Sequence, residues 1–328
     1  MRSNRWLKSL LAAAVGAGVM VSAMANEFVL KVSYETSDTH IKARTAKVFK
    51  DELEKLSRKR IEVQTFPNSS LMPSRQEVSG AIQGQVQMIL PFVSFYEAIA
   101  PGAGVFTMPT LFRDYDHLDK SVAGAVGKPV YSELEAKGLK PVAFWHETPT
   151  YVFTSKKDVS TLEDLRGLKI RIYPSAALEN TIRRFGANPT VVPGSEVYLA
   201  LQNSTVDGAV TTPSFAQSLK LTDSLKFMVK VPLVLGGYIV ALNKSFFDKL
   251  PADLQQAVTQ AAAAATAFNR TAIREEVAAA EDAMRRAGVK IVDVSAAERA
   301  KFFRAAEPVL EAQPDAMKAL IAEARKIN

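Results

Sequence analysis

Residues 251–288 read PADLQQAVTQAAAAATAFNRTAIREEVAAAEDAMRRAG. Pro251 stands where a helix begins and Gly288 just past where one ends, and neither residue type occurs between them. Leu254, Val258, Ala261, Ala265, Phe268, Ala272, Val277 and Met284 recur at roughly helical spacing, which predicts one helix over 252–287. At a rise of 1.5 Å per residue it runs roughly 54 Å, longer than one small domain is wide. A coiled coil needs sustained leucines at its a and d positions, and this stripe is rich in alanine instead. A helix bridging the backs of two lobes fits the pattern better.

The preceding chain has the grammar of two such lobes. Strands expected at 28–34, 61–66 and 86–90 alternate with helices, one capped near Ser37 or Asp38 and one over 75–83. The first helix carries Ile41, Val48, Phe49, Leu53 and Leu56 as its apolar stripe, with Thr45 on the same face. This order predicts a parallel sheet with helices on both faces. Helices at 116–125 and 129–136 and strands at 139–145 and 151–155 follow. A second set then begins: strand 168–173, helix 176–185, strand 190–192, helix 195–202, strand 208–211. Of two further extended runs, 226–231 and 237–242, one is placed to cross between the lobes.

The first 25 residues predict a cleaved export signal. Arg2, Arg5 and Lys8 precede an apolar run from Leu10 to Val21, and Ala23-Met24-Ala25 offers small residues to a signal peptidase. The run is too short to span a bilayer comfortably, and no later segment is long and apolar enough. Removing the signal lowers the formal net charge from +7 to +4, too weak a basic excess for a nucleic-acid binder. The basic run Arg58-Lys59-Arg60 reads as a solvated helix end. Cysteine is absent, which excludes thiol nucleophiles, thiolate metal sites and disulfides. No phosphate-binding glycine loop, zinc-binding H-E-x-x-H or nucleophile elbow occurs. His40, His117 and His146 fall in different elements, so no metal site, cofactor or catalytic centre is expected. Trp145, at a strand end, is assigned to the core.

Residues 167–214 carry a family signal: GLKIRIYPSAALENTIRRFGANPTVVPGSEVYLALQNSTVDGAVTTPS. The pieces are G-L-K-I-R with a nearby proline, F-G-A-N-P, S-E-V-Y-x-A-L-Q and V-D-G. Phe66-Pro67-Asn68-Ser69, the Pro109-x-Leu111-Phe112-Arg113 run and Leu250-Pro251-Ala252-Asp253-Leu254-Gln255 add to it. In this order they resemble the substrate-binding subunits of tripartite ATP-independent periplasmic (TRAP) transporters, the DctP family. The resemblance implies an α/β, periplasmic binding protein-like fold: two α/β lobes with central sheets, crossing strands and a long helix spanning both. The expected division is 27–148 with about 237–276 in lobe I, and 149–236 with about 277–328 in lobe II. It also implies a protein that closes around an organic acid and delivers it to a membrane permease; with the export signal, a periplasmic monomer is expected.

In such proteins the arginine of K-I-R pairs with the ligand carboxylate, and Arg171 holds that position. Its planar fork makes two charge-assisted bonds and cannot lose its charge. A competing expectation pairs Arg171 with a protein carboxylate, Glu196. Other contact positions depart from the sialic-acid-binding branch: Tyr151 replaces a second arginine, Thr211 an asparagine, Phe92 a glutamate, Glu35 an asparagine and Gly194 a phenylalanine. Tyr151 and Phe92, with Tyr173, Phe215 and Tyr238, are expected to form an apolar wall with polar tips. That wall suggests a monocarboxylate of aromatic or cyclic kind. Glu35, as an acceptor for hydroxyls, keeps a sugar acid open, and a dicarboxylate is the further alternative. An enzyme acting on an organic acid and a sensory module are the readings from other classes.

Overall fold

The computed structural model describes residues 27–327; the expected export signal lies outside the described residues. Strand β1 (Phe28–Ser33) leads to helix α1 (Ile41–Leu56), β2 (Ile61–Phe66), α2 (Ser74–Ile82) and a two-residue β3 (Met88–Ile89). Helices α3 (Tyr115–Ala123) and α4 (Gly127–Ala136) precede β4 (Leu139–His146). The cap of α1 is His40, not Ser37 or Asp38: its Nδ1 accepts from Lys42 N at 3.1 Å. Of the expected stripe, Ile41, Thr45, Phe49 and Leu53 are buried while Leu56 is exposed. The helix rolls enough to bury Lys42 instead.

The second half runs β5 (Tyr151–Thr154), β6 (Lys169–Ile172), α5 (Ala176–Arg184), β7 (Asn188–Val191), α6 (Val197–Gln202), β8 (Gly208–Thr211), α7 (Pro213–Ser218) and β9 (Phe227–Val229). Then come β10 (Gly237–Asn243), α8 (Lys244–Lys249), α9 (Ala252–Arg286), β11 (Lys290–Val292), α10 (Ala296–Glu311) and α11 (Asp315–Arg325).

Two sheets result, ordered β2-β1-β3-β10-β4 and β11-β9-β5-β8-β6-β7. In the first, β1, β2 and β3 run parallel, as their alternation with helices predicts, and the sheet becomes mixed where a later strand joins. β10 runs antiparallel between β3 and β4, and β5 runs antiparallel between β8 and β9. Each is the strand that enters its sheet from the other one: β5 follows β4 of the first sheet, and β10 follows β9 of the second. A crossing strand arrives from the far end of its new sheet, so it points against its neighbours. The two crossings are tied together, with Leu233 N donating to Thr150 O at 2.9 Å and Glu147 N to Gly236 O at 3.1 Å. Gly237 lets β10 begin there, because a Cβ at that position would sit 2.1 Å from the Trp145 carbonyl oxygen. Trp145 is fully buried, as its assignment to the core requires.

Helix α9 is unbroken. It packs on α1 and β4 of the first lobe and reaches α7 and β11 of the second. Ala257, Ala261, Ala262 and Ala265 form its buried face, and such small side chains let helix axes approach closely. Asn269, fully buried, ties it to the crossing: its Oδ1 accepts from His146 N at 2.7 Å and its Nδ2 donates to His146 O at 3.3 Å. Among the described residues no helix is long and apolar enough to cross a membrane.

Candidate functional site: a cavity between two lobes

Between the sheets lies a cavity of about 450 Å³ of atom-free space, partly open to solvent. The ends of strands supply its walls. Glu35 follows β1, Phe92 follows β3, Arg171 and Tyr173 stand at the end of β6, Gly194 lies beyond β7, and Thr211 and Thr212 close β8. All these strands present their C-terminal ends, where ligands of open α/β sheets bind. The crossing strands run the other way and present their starts, Thr150 before β5 and Tyr238 in β10. Ser74, Phe95, Glu147 and Phe215 complete the lining.

The lobes meet around this space. Ser37 N donates to Ser218 Oγ at 3.0 Å, and the Thr107 and Ser175 hydroxyls lie 3.1 Å apart. Gly194 packs under the Phe215 ring of its own lobe, where a Cβ would meet Cζ at 2.9 Å, and faces Glu35 of the first lobe at ordinary contact distance.

Arg171 is 3% exposed. Its Nε donates to Val192 O at 2.8 Å and its Nη1 to Val210 O at 3.3 Å, so two backbone carbonyls fix the plane of the guanidinium. Among the described residues no carboxylate forms a salt bridge with it. Glu196, the partner weighed from sequence, instead pairs with Arg75 at 3.2 Å. Burial pulls the Arg171 pKa down to about 10, against the favourable charges of Tyr173 and Glu35. A buried cation without a counter-ion is costly, and an anion entering the cavity relieves that cost. Nearby, the Tyr173 hydroxyl is buried; Thr150 is close enough to favour its charged form, but no hydrogen bond of good geometry forms. Ser74 Oγ is likewise buried and unpartnered.

The opposite wall is acidic. Glu35 accepts from Lys42 Nζ at 2.7 Å, and Lys42 is fully buried. Glu147, between β4 and β5, gathers donors from both lobes: Thr148 N at 2.6 Å, Thr148 Oγ1 at 2.9 Å, the Ser214 and Tyr238 hydroxyls, and His40 Nε2 at 2.9 Å. Burial works against its charge, but His40 and the hydroxyls outweigh it and hold the carboxyl at about 2.

Arg171, Thr211, Phe92, Glu35, Tyr173, Phe215 and Tyr238 thus come together. The aromatic wall exists, with the Phe92 and Tyr173 rings 4.8 Å apart and Phe92 and Tyr238 5.8 Å apart. Tyr151 does not join it: it lines a separate outer hollow with Arg113 and Phe303. Adjacent residues of extended chain face opposite sides, and Thr150 takes the inward position. Ser74, Thr150, Thr212 and Glu147 were not singled out from sequence; Glu147, an acidic residue between two strands beside Pro149, was the most visible of them. The three histidines do not converge, and no cluster of metal-ligating side chains occurs among the described residues.

A family model described as bacterial extracellular solute-binding protein, family 7 (DctP), matches residues 32–315. The chain is similar to the C4-dicarboxylate-binding periplasmic protein of Rhodobacter capsulatus, 33% identical over 94% of this chain and 93% of that one. It is 32% identical to the 2,3-diketo-L-gulonate-binding periplasmic protein of Escherichia coli over 80% of each chain. A TRAP periplasmic solute-binding protein from Sulfurospirillum deleyianum with bound succinate superposes with a TM-score of 0.87 at 29% identity, covering 93% of this chain and 100% of that one. The sugar acid binding protein of Advenella mimigardefordensis in complex with galactonate gives 0.87 at 26% identity, covering 92% and 98%.

Proposed function

This chain belongs to family 7 of the bacterial extracellular solute-binding proteins, and from that premise we propose that it captures a small organic acid in the periplasm and delivers it to a TRAP membrane permease. The observation that carries the reading is Arg171: a buried guanidinium, oriented by two carbonyls and lacking a counter-ion, at the wall of a cavity between two lobes. The ligand carboxylate supplies the missing charge. The second lobe brings Arg171, Tyr173 and Thr211; the first brings Glu35 and Phe92. A ligand bridging both sets favours the closed arrangement to the extent that it touches both.

The C4-dicarboxylate and diketogulonate named for the relatives, and the succinate and galactonate bound in the related structures, support a dicarboxylate or a sugar acid. They favour these over the aromatic or cyclic monocarboxylate that the aromatic wall suggests by itself. In this reading the protein turns nothing over and needs no cofactor, and residues 1–25 direct it to the periplasm.

The test is calorimetry with sugar acids and C4 dicarboxylates on the mature protein, after a thermal-shift screen. At least one acid should bind, and Arg171→Ala should weaken it by about 2–5 kcal/mol, as truncating one partner of a buried charge pair does. If no acid binds, or if Arg171→Ala binds as tightly as the native protein, the proposal fails.

A further inference from the structure

The cavity's inventory of charge distinguishes between the two ligand classes. Of the residues that line it, Arg171 is the one cation, while Glu35 and Glu147 are both carboxylates. A buried lysine, Lys42, stands behind Glu35. Its Nζ donates to Glu35 Oε2 at 2.7 Å and to Leu90 O at 3.1 Å, and sits 4.1 Å from the centre of the Tyr238 ring. Glu77, deeper still, feels the Lys42 charge but forms no ion pair with it among the described residues. Burial, then the charge of Glu35, pushes the Glu77 carboxyl well above its ordinary range, and Ser33 Oγ donates to it at 2.8 Å. Lys42 Nζ thus meets Glu35, a backbone carbonyl and a ring face, and does not itself line the cavity.

A dicarboxylate anchored at Arg171 would thus carry its second charge into a wall of hydroxyls and two carboxylates, Glu35 and Glu147, that already hold the basic partners there, Lys42 and His40. A hydroxylated chain meets a different reception. Glu35 Oε1 has no hydrogen-bond partner among the described residues and accepts from a ligand hydroxyl. The buried hydroxyls of Ser74 and Tyr173 have no partner either, and polar groups left unpaired in a binding site mark where a ligand's own polar groups belong.

We infer that the site selects acids bearing one carboxylate and several hydroxyls, the sugar acids, and that Glu35 is the residue that turns a second carboxylate away. The inference rests on capture at Arg171 and goes beyond it by choosing between the two classes.

Calorimetry with D-gluconate and L-galactonate against succinate tests it. The native protein should prefer at least one of these sugar acids over succinate by about tenfold or more, the factor that 1.4 kcal/mol corresponds to. Glu35→Gln should shrink that preference about tenfold, by strengthening succinate and weakening the sugar acid. Because Glu35→Gln strands the Lys42 charge, the double variant Glu35→Gln/Lys42→Met, with both buried charges gone, carries the same comparison and the same expectation. Succinate binding as tightly as the sugar acids, with Arg171→Ala abolishing both, leaves the capture reading standing and overturns this one. So does a preference unchanged in both Glu35 variants.

Discussion

Arg75 and Glu196 meet at 3.2 Å across the rim of the cavity, one on α2 of the first lobe and the other just before α6 of the second. Each lies within two residues of a lining position, Ser74 or Gly194. In the proposed capture cycle the contact forms only while the lobes are together, so it adds to the stability of the closed arrangement. Both side chains are more than half exposed, which limits the pair to about 1 kcal/mol or less. Glu196→Ala should therefore speed ligand release by up to about fivefold with little change in the association rate. Raising the salt concentration should mimic it in the native protein. Stopped-flow dissociation rates equal in both proteins at low salt would show that the pair plays no part in closure.

Arg171 should reduce the stability of the empty protein. It is buried, its pKa is drawn down to about 10 by that burial, and it bonds to two carbonyls but forms no salt bridge among the described residues. Arg171→Met keeps the volume and removes the charge, and should stabilise the ligand-free protein by about 1 kcal/mol or more. In a thermal scan without ligand this reads as a rise of about 2 °C. A fall in melting temperature would mean that the two carbonyl bonds outweigh the desolvation.

Glu147 should govern part of the acid limb of stability. Its folded-state pKa, held near 2, lies below the ordinary 4.5. A depressed carboxyl contributes stability that is complete above about pH 4.5 and is lost as the pH falls through 2, here about 3 kcal/mol. The difference in unfolding free energy between the native protein and Glu147→Gln should accordingly be large at pH 6 and shrink towards pH 2. Urea titrations giving a constant difference across that range would contradict the assignment.

Asn269 offers a test of how α9 is fastened. Asn269→Leu removes the acceptor of the buried His146 N–H, and a buried donor left without a partner costs about 1–3 kcal/mol. Urea unfolding should show a lower midpoint with an unchanged slope. No loss of stability would imply that water or a shifted backbone takes the place of the amide.

Much of the architecture was legible because it rests on periodicity and punctuation. The long helix could be read from Pro251, Gly288 and the spacing between them, and it ends within a residue of expectation. The parallel run of β1, β2 and β3 could be read from their alternation with helices, but the direction of Gly237–Asn243 could not: it has the composition of any buried strand, and whether it lies parallel to its neighbours depends on the end from which it enters. Arg171 was legible through its motif, but Lys42 was not, since a lysine on a helix reads as solvated until the fold buries it beside Glu35. Tyr151 was displaced from the expected wall by a single residue, because alternation along a strand gives position 150 one face and position 151 the other. Glu147 owes its importance to donors from residues 40, 148, 214 and 238, a convergence that no local pattern encodes.

Helix α9 runs from Ala252 to Arg286 without a glycine or proline and touches elements of both lobes. A stiff rod clamped to two bodies acts as an axle. In the proposed capture cycle, such a rod, together with two crossing segments bonded to each other beside Glu147, would favour opening along a single arc, so that one angle would distinguish a loaded protein from an empty one.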